Sequence, residues 1–435
     1  MQALLSFEHA PPISAPLRFF LTAPVFAILA GLLLIMSGPD LFASRWTPAA
    51  LALTHLITAG FMLQAMLGAM VQILPVVAGA NMPRPLLIAG IVHVLITVGA
   101  LCLAVAFLTF APLAFLLAAL LLAGGLSVFV AATGRALYGV RTASPTIRGL
   151  KMAISGLVVT VSFGVLLAVS LALSFDLPLL QLTNIHLGWG FVAWGCALLA
   201  AVGYVVVPMF QLTPAYPDWF GKGFSFAALG IALLWTLLEL VGWVVPAAVL
   251  GGGVVLVAGL FAVVTLRIQR RSKRAKFDVT QHYWRVAMSS ALVACVLWLA
   301  AQVIPSVNEW QGWPLLLGVL VLFGGFMSVI IGMLYKIVPF MVWLHLQSLG
   351  RGKVTAPNMK KVLAETQMKR QMLMHFLAFA LLLLAVFWPQ WFVYPAGVAL
   401  IAANGWLLRN LFSAVSVYRG HLPKIKAALT VQAGK

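Results

Sequence analysis

Charge is scarce in this chain: of 435 residues, 8% are Asp, Glu, Lys or Arg, and Asp and Glu together number 8. A water-soluble domain of this length carries about a quarter charged residues, so a soluble fold is excluded. Cysteine is almost absent, and Cys102, Cys196 and Cys295 all fall inside apolar runs without a CxxC pair, so neither a disulfide framework nor a thiolate metal site is indicated. The opening MQALLSFEHAPPISAP has no basic stretch leading to a cleavage site and reads as a short tail rather than a signal peptide. Phosphate loops, dinucleotide fingerprints and nucleophile elbows are missing; the GGG at 251–253 lies in an apolar run, outside the strand-to-helix context that a phosphate loop needs.

Apolar sequence is abundant, at 63% hydrophobic residues and a mean hydropathy of +1.09. A bilayer core about 30 Å thick takes roughly 20 apolar residues per helix. Twelve such runs predict an all-α polytopic membrane protein, a single transmembrane domain over 1–435. The predicted spans are 17–37, 49–78, 86–109, 112–136, 150–174, 182–210, 219–242, 245–266, 283–305, 313–345, 368–388 and 392–412.

The formal charge of +19 would suggest nucleic acid in a soluble protein, but here its placement carries the meaning. Arg135, Arg141, Arg148 and Lys151 follow span four; Arg267 to Lys276 follow span eight; Arg351, Lys353, Lys360, Lys361, Lys369 and Arg370 follow span ten. The opposite loops hold Arg45 beside Asp40, Asp176 and Glu309. The positive-inside rule then puts both termini in the cytoplasm of a bacterial inner membrane, with Trp46, Trp243, Trp310, Trp313, Trp388 and Trp391 at the outer interface. The partner this implies is the lipid bilayer, whose anionic headgroups suit RIQRRSKRAK, and not nucleic acid.

Spans two, six and ten share a design. Fifteen residues before Pro75, Pro208 and Pro339 stand Gly60, Ala193 and Gly324; seven before stand Gly68, Ala201 and Gly332. Small residues eight apart share one helix face, which predicts close packing of these three helices around one axis. Repeats at about 17–148, 149–281 and 282–418 follow, three pseudo-symmetric arcs of four helices.

Twelve helices in three arcs, with inner helices two, six and ten, resemble the haem-copper oxidase subunit I superfamily. Nearer in motif is NnrS, a family of bacterial membrane proteins described as binding haem and copper and tied to nitrogen-oxide stress. Its second-span pattern of His, four residues, Gly-Phe, then Gly and Pro is matched by His55, Gly60-Phe61, Gly68 and Pro75, while VVAG stands where members have an Asn-Trp-Thr-Gly ending. The motif likeness covers about 25 residues, from 54 to 79.

An imidazole inside a span is costly unless paired, hydrated or coordinated, and it is a common iron and copper ligand. His55 and His186 stand 20 and 22 residues before their prolines, near-equivalent places in two repeats. The oxidase resemblance implies a low-spin haem b on His55 and a copper contact at His186. The plainer alternative for each is a hydrogen bond to a neighbouring carbonyl. Further oxidase histidines on spans seven and ten are missing, because span seven has none and His345 lies six residues beyond Pro339. Oxygen reduction at a full binuclear centre is therefore not expected, and an oxidoreductase role stays open.

Glu239, the acid well inside span seven, is expected at the depth of His186, where the two could share a metal or pass protons; the alternative is a carboxylate turned to the outer interface. Met62, Met66, Met70 and Met327 could ligate haem or copper, though methionines at helical spacing usually pack. His93 and His375 fall in the inner halves of their spans, and Lys336, with Tyr335 and Tyr204, is expected to snorkel inward. Two functions fit these residues: an inner-membrane haem or metal protein in redox, gas-response or stress chemistry, served by an electron donor or partner subunit or working as a homodimer; or a cofactor-free transporter or channel for a small solute, metal ion or protons.

Overall fold

The protein is an all-α polytopic membrane protein, described here from a computed structural model that covers residues 10–140, 144–350 and 355–433. Arg141, Arg351, Lys353 and His9 lie outside the described residues. Among those described, twelve helices are long and apolar enough to cross a membrane. They are α1 (Ser14–Ala43), α2 (Pro48–Ala78), α3 (Pro85–Thr109), α4 (Pro112–Tyr138), α5 (Pro145–Leu173), α6 (Leu179–Gln211), α7 (Asp218–Val241), α8 (Val244–Gln269), α9 (Val279–Val303), α10 (Trp313–Leu349), α11 (Glu365–Phe387) and α12 (Pro389–Leu429). The ends that bear the basic loops are termed the inner ends, after the positive-inside rule.

Proline stands at the first or second position of six of these helices, where its missing N–H costs nothing. Thr47, Ser144 and Asp278 cap α2, α5 and α9 by accepting from the backbone N–H of Ala50, Ile147 and Gln281. The last helix runs well past the predicted end at 412. Pro423 fails to stop it, and Ile425 there is buried, so packing against the protein outweighs the lost backbone bond.

The helices pack in a pattern that repeats every four. In each group the first helix lies on the second and third, the third pairs with the fourth, and the fourth pairs with the first of the next group; α12 closes the ring against α1. Membership of the arcs thus follows the chain.

The inner helices carry a feature that no residue pattern announced. Each contains a π-helical segment, Leu56–Met62 in α2, Trp189–Cys196 in α6 and Leu320–Met327 in α10. All three begin nineteen residues before Pro75, Pro208 and Pro339. A π turn spreads one extra residue round the helix and leaves backbone groups out of the usual ladder, an arrangement frequent at functional sites.

The small residues face a different way from the expectation. They do not meet one another on a central axis; each pair meets the first helix of its own arc. Gly60 lies under Phe26 and Gly68 under Phe19 and Phe20 of α1. Ala193 packs its backbone on Gly156, and Ala201 its methyl on Gly149, of α5. Gly324 meets Ser290 of α9 and also Phe379 of α11, and Gly332 meets Tyr283 of α9. Bulky rings on α1 and α9 fill the space that the small faces leave, whereas at α5 both partners are small and the backbones approach closely. Between arcs, α6 meets α10 where Phe326 lies over Gly195, and α2 meets α10 along their π segments.

Candidate functional site: two carbonyl-tethered imidazoles

His55 is the last residue of the first α-helical stretch of α2, and the π segment starts at the next residue. Its Nδ1 lies 2.8 Å from the Leu51 carbonyl one turn back. Its ring stacks on Phe107 of α3, with centroids 4.7 Å apart and planes 27° from parallel. Phe107 is in turn held edge-on by Phe115 of α4 at 5.3 Å. The second imidazole, His186, stands three residues before the π segment of α6. It reaches across to α5, with Nδ1 3.0 Å from the Thr160 carbonyl and its ring beside Gly164, where a Cβ would come within 3.1 Å of Cε1. Glycine at 164 is what gives the ring its place.

A carbonyl oxygen only accepts, so each Nδ1 carries the ring hydrogen and each Nε2 keeps its lone pair. Both side chains are half-buried rather than sealed in packing. The carbonyl bond foreseen as the plainer role for each ring is therefore present, but it uses Nδ1 and leaves the ligand-competent nitrogen of both histidines free. Fixing one ring nitrogen on a carbonyl is also how metal-binding imidazoles are commonly oriented.

Glu239 does not join this pair by any contact. Its Oε1 accepts from Trp235 Nε1 at 3.2 Å, and its backbone carbonyl accepts from Gln181 Nε2. With Gln181, Asn184 and Pro178 to Leu180 it lines an open groove of about 420 Å³. The reason is helical phase. Gly188 lies against Trp235, and Trp189 Nε1 donates to Thr236 Oγ1 at 2.8 Å, which commits that face of α6 to α7. Two residues from Gly188 is about 200° of helix turn, so His186 points away, toward α5.

The methionines pack: Met62, Met66, Met70 and Met327 are all buried in the core. His93 bonds Thr22 at 2.8 Å and His375 bonds Ser328 at 2.9 Å, each inside its own arc. Lys336 is not a free snorkelling cation, for its Nζ lies 2.8 Å from Asp278 Oδ2. His345 binds carbonyls with both nitrogens, Met341 at 2.9 Å and Pro11 at 2.8 Å. Among the described residues no group of three or more His, Cys, Asp or Glu side chains is placed to hold a metal ion. A metal on this pair would take its remaining ligands from other donors.

Residue reasoning missed Thr160, Gly164 and Phe107, which orient the pair. It also missed a buried cluster around Gln371 in the third arc. Gln371, Asn404 and Asn410 are uncommon residue types for the middle of a membrane helix, and that rarity was the available signal. Set beside known proteins, the chain matches no family model and no curated relative.

Proposed function

We propose that this is a bacterial inner-membrane metalloprotein in which His55 and His186 present paired Nε2 atoms to an iron or copper centre in the outer half of the bilayer, with both chain ends cytoplasmic. The observation that carries the reading is the matched tethering of the two rings, Nδ1 on the carbonyls of Leu51 and Thr160, which leaves Nε2 of each as the nitrogen available to a ligand. Imidazole nitrogen of this kind suits haem iron and copper. Such a centre supplies one-electron transfer or binding of a small gas. The residues themselves have simpler tasks. Leu51 and Thr160 fix the tautomer, Phe107 covers one face of the His55 ring, and Gly164 leaves room for the His186 ring. The resemblance to NnrS and the oxidases points the same way, toward redox, gas-response or nitrogen-oxide stress chemistry with an electron-donating partner.

The test is an absorption spectrum with metal analysis on protein expressed with ample haem, iron and copper. A Soret band or stoichiometric metal, lost in both His55→Ala and His186→Ala, supports the reading. Colourless, metal-free wild-type protein would sink it.

A second reading rests on the groove at Glu239. An acid beside Gln181 and Asn184 at an open mouth suits entry of a cation or small polar solute, and a cofactor-free transporter would use it. Flux into liposomes that stops on Glu239→Gln, with no pigment or metal present, would favour that reading.

A further inference from the structure

The third arc holds an unmet hydrogen-bonding need that the imidazole pair does not explain. Its core is a cluster of buried polar side chains from four helices. Tyr283 of α9 and Tyr335 of α10 both donate to Gln371 Oε1 of α11, at 2.6 and 2.9 Å. Asn410 of α12 donates to the Tyr335 oxygen at 2.9 Å, and Gln371 Nε2 donates to the Ala403 carbonyl at 3.2 Å. One turn further along α11, the His375 ring sits 5.4 Å from the ring of Tyr283.

The hydrogen on His375 can be placed from its partners. Ser328 Oγ donates to the Phe323 carbonyl at 3.0 Å, a bond reaching back into the π segment of α10. Its one hydrogen is therefore spent, so toward His375 Nε2, 2.9 Å away, the serine oxygen can only accept. Nε2 carries the hydrogen and Nδ1 is the bare lone pair. This tautomer is the reverse of that in His55 and His186. His375 is 1% exposed, and its Nδ1 has no hydrogen-bonding partner in the protein. A second buried acceptor in the same arc is in the same position: Asn404 Oδ1, next in sequence to the Ala403 that binds Gln371, also has none. Each such acceptor left dry costs about 1–3 kcal/mol. Native proteins meet the need with internal water, which makes about three hydrogen bonds per molecule and occurs on the order of once per 27 residues.

We propose that the third arc contains a water-binding site at His375 Nδ1, whose occupant joins the imidazole to the Tyr283–Gln371–Tyr335–Asn410 cluster. Water fits because His375 Nδ1 and Asn404 Oδ1 are both acceptors, and water is the smallest molecule with two hydrogens to give. The cluster reaches the inner end of the arc at Tyr335, whose chain neighbour Lys336 is paired with the partly exposed Asp278. The site is separate from the His55–His186 pair in arc, in tautomer and in ligand.

The test is nitrogen NMR on protein labelled with ¹⁵N-histidine in lipid nanodiscs, with the His375 signal assigned by its loss in His375→Gln. The expected result is an Nε2–H ring with a hydrogen-bonded, unprotonated Nδ1 that receives magnetisation transfer from water. Ser328→Ala should shift the same signal while leaving those of His55 and His186 in place, which secures the assignment should the His375 variant fail to fold. An Nδ1–H ring, or a His375 signal with no transfer from water, would overturn the proposal. Neither readout depends on whether the protein binds a metal.

Discussion

Lys336 Nζ lies 2.8 Å from Asp278 Oδ2, tying the inner end of α10 to the first turn of α9. The same carboxylate faces Arg274 Nη1 at 3.3 Å and caps α9 by accepting from Gln281 N–H at 3.0 Å. The three bonds predict unequal effects of substitution. Lys336→Met leaves Asp278 with Arg274 and its cap, and because the pair is partly exposed the expected loss is about 1 kcal/mol. Asp278→Ala removes the cap and both cationic partners together, for an expected loss of about 2 kcal/mol or more. Thermal unfolding of the detergent-solubilised variants should rank them in that order.

Close backbone approach gives a second prediction. A Cβ on Gly156 would run into the Ala193 backbone, which is not free to swing aside, whereas one on Gly230 meets nothing within 4 Å. Gly156→Ala should destabilise by about 1–3 kcal/mol through overpacking. Gly230→Ala should be neutral or stabilising by up to about 1 kcal/mol, from helix propensity alone. Fluorimetric melting of the two proteins under the same conditions checks the contrast.

The wide turn after His55 can be removed. Deleting one residue between Leu56 and Ala59 should return the segment to α-helix and rotate His55 by about 100° relative to the face that carries Gly60, Gly68 and Pro75. Under the function proposed above, metal or haem occupancy of the deletion variant should fall to the level of His55→Ala, while the protein still elutes as a single folded species. Occupancy equal to wild type would show that the wide turn does not set the ring's direction.

His345 should act as a clasp on the segment that leads into α1. Its Nδ1 faces the Met341 carbonyl and its Nε2 the Pro11 carbonyl, so the ring bridges α10 and the segment before α1. His345→Leu removes the link between α10 and the segment leading into α1. Hydrogen exchange at backbone amides from Ile13 to Leu17 should rise several-fold, with exchange in α6 unchanged.

Much of the architecture was legible because the bilayer allows few solutions: apolar length marks a span, basic loops mark one side, and small residues mark close contact. The small faces of α2, α6 and α10 were read correctly as contact surfaces but assigned to the wrong neighbour. Spacing fixes which residues share a face and says nothing of what lies opposite, here Phe26, Gly156 and Ser290. The π segments escaped because one surplus residue leaves no compositional mark. Expected depth grouped His186 with Glu239, but the face each presents separates them, since Trp189 commits the intervening side of α6 to Thr236. Lys336 was legible as a cation near the inner end, but its pairing was not, since Asp278 lies 58 positions away in the chain.

Docking of α12 on α1 makes the succession of helices a circle rather than a line. Twelve crossings among the described residues bring the end of α12 back to the side on which α1 starts, so those two helix ends need no passage through lipid to be joined. A permuted version, linked from the end of α12 to the start of α1 and opened between α4 and α5, would retain every lateral neighbour that its parent has. What the opened version loses is confined to the order of synthesis, so comparing its assembly with the parent's would separate the demands of membrane insertion from those of the finished ring.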